Sequence, residues 1–224
     1  MISLAKRGNC ARPGKRRLGR MVGNSNGRQD SRTGQYRRVL LVGAEVHSRG
    51  LDKTTRGRDI AVLFGDGAGA VILGPTEDAG RGILSTHLFA DGRHAEKLCV
   101  DGPGLAHDPF VSEAMLRAGA CRPAMDGREV FKAASILMPR AVEVALRANS
   151  VGPADIGLLV PHQANLRIIE MVQKVLGLRN DQVYANIQQY GNTTAASIPI
   201  ALHEAVLAGR LQRGDLLILA AFDS

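Results

Sequence analysis

Three continuous apolar runs, at residues 39–42, 156–160 and 216–221, constrain this chain more than any other feature. Runs with no polar alternation suit strands buried inside a fold rather than strands with one wet face. Segments of helical length follow them. Residues 127–149 carry Val130, Ala134, Leu137, Ala141 and Val144 at spacings of three and four, which predicts a helix with one apolar face. Pro139 lies inside it, where it should kink the helix or leave one carbonyl unpaired. A second helix is predicted over 164–176, with Ile168, Met171, Val172 and Val175 on its buried side and Gly177 as its stop. A third runs over 195–208 and ends at Gly209. Strands alternating with helices of ten or more residues indicate an α/β protein with a largely parallel sheet, whose ligand chemistry sits just past the carboxyl ends of strands.

Shorter elements are weaker in outline. Residues 60–64 and 71–73 read as two strands around the glycine-rich bend 65–70, passing close to another backbone. Residues 83–89 and 182–185 read as further strands. Residues 92–126 are less regular, with Asp101-Gly102-Pro103-Gly104 and Cys121-Arg122-Pro123 as breakers.

Composition excludes several classes. A hydrophobic fraction of 45% is too high for a disordered chain. No apolar run approaches the roughly 18 residues of a membrane span. Three widely spaced cysteines fit a reducing compartment rather than a disulfide scaffold. The net charge of +8 would suit nucleic-acid binding, but residues 1–38 hold 11 of the 29 Lys and Arg with one acid, Asp30. The other 186 residues hold 18 basic and 20 acidic groups, so the body is nearly neutral. Residues 1–33 show no helical or strand period and no apolar signal region, and they interleave no aromatic residue to stack on bases. They read as a basic, disordered or non-native tail, with neither nucleic acid nor membrane as a partner.

Two polar strings fall at strand ends or in adjoining loops. One is Pro161-His162-Gln163-Ala164-Asn165, followed by Leu166-Arg167-Ile168-Ile169. The other is Tyr190-Gly191-Asn192-Thr193-Thr194-Ala195-Ala196-Ser197-Ile198-Pro199. Together they resemble the β-ketoacyl-acyl carrier protein synthase III family of condensing enzymes. Gly34-Gln35-Tyr36 through Gly43-Ala44-Glu45, Phe64-Gly65-Asp66-Gly67-Ala68-Gly69-Ala70 and Met125-Asp126-Gly127-Arg128-Glu129-Val130-Phe131 resemble it too, in the family's order, over about residues 34–222. The glycine string lacks the following helix and the Lys-Ser/Thr of a phosphate loop, so tight strand packing accounts for it better.

The resemblance implies a layered thiolase-like α/β fold of two similar halves, cytoplasmic, and dimeric in the intact family. It implies decarboxylative condensation of acyl-CoA with malonyl-acyl carrier protein at the start of fatty acid synthesis. Acyl carrier protein and acyl-CoA are then the partners. No metal and no cofactor is needed beyond the CoA and phosphopantetheine thioesters used as substrates. By motif, His162 and Asn192 correspond to the catalytic His and Asn, which hydrogen-bond the thioester oxygen as charge develops there. Arg167 corresponds to a contact for acyl carrier protein or CoA phosphates. Arg128 stands where many relatives have Asn and adds a possible phosphate contact. Met125, Phe131 and Ala134 correspond to the lining of the pantetheine and acyl channel. Asn165 reads first as a helix cap.

The chain departs from the family pattern at the nucleophile. The family spacing places a Cys near Arg17, and none is there. Cys10 has Arg and Pro neighbours where a packed helix should begin, and Cys99 and Cys121 read as structural thiols. The chain also stops at Asp223-Ser224, where relatives continue into a glycine turn and a last strand. The expectation is therefore an incomplete thiolase-like fold. Residues 34–90 would be the last strands of the N-terminal half, and 91–224 the C-terminal half without its final strand. Such a chain, lacking the nucleophile, is expected to be inactive alone. Two alternatives stay open: a non-catalytic module that binds acyl carrier protein or CoA, and a polyketide starter or HMG-CoA synthase-like enzyme of the same fold.

Overall fold

The computed structural model describes residues 36–78 and 80–222. The basic segment 1–33, with Cys10, lies outside the described residues. Six strands are named in chain order: β1 (Val39–Glu45), β2 (Gly67–Leu73), β3 (Leu98–Val100), β4 (Pro123–Met125), β5 (Leu158–Pro161) and β6 (Leu217–Ala220). The helices are α1 (Arg58–Ala61), α2 (Glu113–Ala118), α3 (Gly127–Ala148), α4 (Leu166–Leu176), α5 (Ile187–Tyr190) and α6 (Ser197–Leu207).

The centre of the C-terminal part is the parallel pair β5–β6, in register from Leu158↔Leu217 to Pro161↔Ala220. Its residues alternate between two apolar clusters, as the two-residue period of a strand requires. Leu159, Ile218 and Ala220 pack with Met138, Ala141 and Val142 of α3 and Ile168, Ile169 and Val172 of α4. Leu158, Val160 and Leu219 pack with Ile198, Ala201 and Ala205 of α6. The result is a helix–sheet–helix sandwich that buries both faces of the strands, which explains why residues 156–160 and 216–221 carry almost no polar text.

Several expectations are corrected. A largely parallel sheet is not found: among the described residues, β1–β2 and β3–β4 are antiparallel and only β5–β6 is a parallel strand pair. The link from β1 to β2 contains only the single turn of α1, too little for a crossover, so the chain returns antiparallel. Residues 60–64 are not a strand. They hold the end of α1 and a turn, and Phe64 makes an isolated bridge to Asn192. The glycine-rich text is itself strand β2 rather than a bend. A Cβ at Gly65 would press on the Tyr190 carbonyl oxygen, so the approach to another backbone is real there, whereas at Gly69 and Gly67 the nearest atoms are side-chain carbons, such as Pro199 Cβ at 2.7 Å and Thr193 Cβ at 3.2 Å.

Residues 83–89 form no strand. Leu84, Leu88 and Phe89 remain largely exposed, and the segment is tied to α3 by the Asn149 amide donating to Ser85 Oγ at 2.7 Å. Residues 182–185 shrink to a bridge between Val183 and Leu159, because the chain before it is a 3₁₀ turn pinned by the Gln182 side chain donating to the Pro153 and Ile156 carbonyls.

Helix α3 starts at Asp126, whose carboxylate accepts the Glu129 N–H at 3.2 Å, and continues across Pro139 to Ala148. Its most buried stripe is Ala134, Met138, Ala141, Val142 and Ala145. Val130, Leu137 and Val144 stand at its margins. In α4 the buried side is Ile168, Ile169, Val172 and Leu176, while Met171 and Val175 are exposed, which corrects the predicted face. Neighbouring apolar residues permit more than one face in each helix, and packing against β5–β6 selects the one observed.

Candidate functional site

The site is built where β5 and the loop before α6 meet. His162 follows β5 and prolongs its ladder, its N–H donating to the Ala220 carbonyl at 2.7 Å. The side chain is 7% exposed. Its Nδ1 lies 2.6 Å from Ser197 Oγ, at the first residue of α6. Gln163 is buried and locks the loop in place. Its Nε2 donates to the Pro161 and Tyr184 carbonyls, and its Oε1 accepts the Asn186 N–H at 3.0 Å. Asn165 caps α4 by accepting the Arg167 N–H at 2.9 Å, as expected.

Asn192 is held by backbone on both sides. Its N–H donates to the Leu63 carbonyl at 2.7 Å, and its carbonyl accepts from Gly65 at 3.0 Å. Its side-chain oxygen accepts the Thr194 N–H at 2.9 Å. With Oδ1 occupied in this way, the side-chain NH₂ is the group left to act on a ligand, and it can only donate. Thr194 reaches this position with φ +44, a left-handed backbone that is costly for a β-branched residue and persists only where its surroundings enforce it. Behind it, His47 Nε2 lies 3.4 Å from Thr194 Oγ1, and the His47 ring packs on Phe64 with centroids 4.7 Å apart.

His162 and Asn192 line one cavity of about 330 Å³, together with Asn165, Met125, Phe131 and Ala134. Six of the eight residues singled out in the sequence therefore come together. The rest of the wall is mostly apolar, with Ile60, Leu63, Phe64, Leu98, Met138 and Phe222 among it, and Asp59 and Thr194 add further polar side chains. Arg128 and Arg167 are exposed and do not line it, although each adjoins in sequence a residue or helix start that does. Cys99 and Cys121 are half-buried and lie outside the lining. The Cys99 thiol turns to the Glu96 carbonyl at 3.6 Å.

Sequence reasoning placed Phe64 at the end of a strand rather than in the site, and gave no role to Thr194 and Ser197 within a string otherwise singled out. The signal for Ser197 was present: a hydroxyl at the start of a helix, five residues past Asn192.

A carboxylate braces the far side of the Asn192 loop. Glu204 accepts from the Tyr190 hydroxyl and, at 2.9 Å, from the Asn186 amide. Those hydrogen bonds hold its carboxyl below the usual range, and the same contact raises the Tyr190 hydroxyl. Among the described residues, no group of three or more His, Cys, Asp or Glu is placed to hold a metal. No helix among them is long and apolar enough to cross a membrane.

A mostly apolar cavity into which His162 and Asn192 bring hydrogen-bonding side chains suits an acyl group whose oxygen gains negative charge during reaction. The family described as 3-oxoacyl-(acyl-carrier-protein) synthase III matches residues 19–92, beginning upstream of the motifs legible by eye, and its C-terminal part matches residues 146–224. The β-ketoacyl-(acyl-carrier-protein) synthase III of Rhodospirillum centenum is 50% identical over 193 residues, covering 85% of this chain and 56% of that protein. Crystal structures of 3-oxoacyl-(acyl-carrier-protein) synthase III superpose with a TM-score of 0.80 from two organisms. The one from Aquifex aeolicus is 37% identical, covering 91% of this chain and 60% of the other. The one from Pseudomonas aeruginosa is 30% identical, covering 99% and 72%. The chain thus spans less than two thirds of the curated relatives it matches, and its fold is of the thiolase-like kind that these enzymes share.

Proposed function

This chain belongs to the 3-oxoacyl-(acyl-carrier-protein) synthase III family, and on that premise we propose that its cavity is the thioester site of a decarboxylative condensing enzyme. The substrates are acyl-CoA and malonyl-acyl carrier protein, and the reaction opens fatty acid synthesis. The observation that carries the proposal is the orientation of Asn192, whose Oδ1 accepts from Thr194 and whose NH₂ is thereby left as the donor in the cavity that His162 also lines. The two side chains donate to the malonyl thioester oxygen. The bond between Cα and the carboxylate breaks, carbon dioxide leaves, and the electron pair forms an enolate whose oxygen both donors stabilise. In full condensation that carbanion attacks an acyl group held on a thiolate. No thiol among the described residues lines the cavity. We therefore assign to the isolated chain the decarboxylating half alone, with the carbanion taking a solvent proton to give an acetyl thioester. Cytoplasmic placement, a homodimer, and acyl carrier protein and acyl-CoA as partners belong to the same proposal.

The test is to incubate the full chain with acetyl-CoA and malonyl-acyl carrier protein and to measure carbon dioxide and 3-oxoacyl product separately. Carbon dioxide without 3-oxoacyl product is expected, with a loss of about 10²-fold or more in His162→Ala. No release above His162→Ala refutes the thioester role, and 3-oxoacyl product refutes the assignment of half the chemistry.

The exposure of Arg128 and Arg167 favours a second reading, binding without turnover. Both would then hold an acidic carrier protein or CoA phosphates beside the cavity. Carrier-protein binding that disappears in Arg167→Glu, in a wild-type chain releasing no carbon dioxide, would select it.

A further inference from the structure

We propose that Ser197 is a positioning residue for His162: its hydroxyl donates to Nδ1 and thereby keeps the ring proton on Nε2, the nitrogen that then serves as donor to a thioester oxygen. The proposal rests on the thioester reading above for its consequence, but not for its geometry.

The Ser197 side chain is 2% exposed and His162 is 7% exposed, so neither group can exchange this contact for bulk water. Their separation of 2.6 Å is that of a strong hydrogen bond. The direction is the proposed part, and the rest of the Ser197 environment is compatible with it. Its Oγ also faces the Gln163 backbone N–H at 3.4 Å, a group that can only donate. With that donor on one of the two oxygen lone pairs, the proposal directs the hydroxyl hydrogen to the imidazole, which then accepts at Nδ1. A neutral imidazole that accepts at one nitrogen donates at the other, and which nitrogen carries the proton is set by such a neighbour. The opposite tautomer would place a lone pair on Nε2, repelling the enolate oxygen it is meant to stabilise. Ser197 is held where this requires, because it opens α6 between Ala196 and Ile198, both core residues. Asn192 and His162 are thus made donors by the same strategy: in each, the other polar atom of the side chain is occupied by a neighbour from the 194–197 segment.

The experiment is long-range ¹H–¹⁵N correlation spectroscopy of the full chain labelled at its histidines, with His162 assigned by its disappearance in His162→Gln. The Nε2–H pattern is expected in the wild-type protein, retained in Ser197→Thr, and shifted partly or wholly to Nδ1–H in Ser197→Ala. In parallel, carbon dioxide release from malonyl-CoA is expected to lose about tenfold in kcat in Ser197→Ala, with KM nearly unchanged, a smaller loss than removing the donor itself. A wild-type ring protonated at Nδ1, or at both nitrogens, overturns the proposal, and that spectrum decides the point even if Ser197→Ala does not fold. A tautomer unmoved in folded Ser197→Ala overturns it as well. If the tautomer moves but no variant or wild type releases carbon dioxide, the positioning role stands and the thioester reading is the one that fails.

Discussion

Gly43 in β1 links the N-terminal hairpin to the loop that carries Asn192, and Gly43→Ala tests that link. A Cβ at this position would press on the Ala195 carbonyl oxygen and lie 2.6 Å from its carbon and 3.0 Å from the Ala196 nitrogen. These are backbone atoms of the 3₁₀ turn Thr194–Ala196, so no side-chain rotation relieves the overlap. Carbon atoms rest at about 3.5–4.0 Å, so the turn must retreat from β1 by about 1 Å. Overpacking of this kind costs about 1–3 kcal/mol. Reduced chain entropy in the unfolded state offsets at most about 1 kcal/mol of it. The same displacement moves Asn192 relative to His162, and misplacement by about 1 Å can cost about 100-fold in turnover. Urea unfolding followed by far-ultraviolet circular dichroism should show a lower midpoint with an unchanged m-value. The control is Gly92→Ala, where an added Cβ meets nothing within 4 Å and the change should stay within about 0.5 kcal/mol. If Gly43→Ala matches wild type in midpoint and in carbon dioxide release, β1 does not support the loop as described.

Other consequences are independent of that hairpin. Met138 is fully buried between the main core and the cavity, so Met138→Ala should destabilise by about 2–5 kcal/mol in urea or thermal unfolding. A loss below about 1 kcal/mol would mean that the site is not tightly packed. Removing the α4 cap in Asn165→Ala should cost about 1 kcal/mol in the same assay, with Asn165→Asp close to wild type. Glu204 has a folded-state pKa below its ordinary value, because Tyr190 and Asn186 donate to its carboxylate. Its contribution to stability is therefore present above its ordinary value of 4.5 and is lost as pH falls through the lower folded value. Urea midpoints measured from pH 6 downwards should fall more steeply for wild type than for Glu204→Gln, and parallel curves would contradict the bracing role.

The sandwich around β5–β6 was legible because its strands are buried on both faces and its helices are long enough to show a period. His162 and Asn192 were legible through the strings around them rather than through periodicity. Although 71–73 reads as a strand, the first half of β2 does not, because Gly67, Ala68, Gly69 and Ala70 carry too little side chain for a strand to be recognised. Their shortness is a response to Thr193 and Pro199, residues more than 120 positions away. Residues 83–89 misled for the opposite reason: they have a strand's apolar text but no neighbouring strand to pair with. The buried stripes of α3 and α4 shifted because neighbouring apolar residues permit more than one face, and only packing against β5–β6 selects between them. The place of Ser197 at a helix start was legible, but its contact with His162 spans 35 positions and no local pattern encodes it.

The central claim is that His162 and Asn192 donate together to one thioester oxygen. Isotope-edited difference infrared spectroscopy of acetyl-CoA labelled with ¹³C at the thioester carbonyl tests it directly on the full chain. The expected result is a carbonyl band lowered in frequency on binding to wild type, partly restored toward its free value in either His162→Ala or Asn192→Ala and fully restored in the double variant. A bound carbonyl band at the free frequency in wild type, or one indifferent to both substitutions, would contradict the claim.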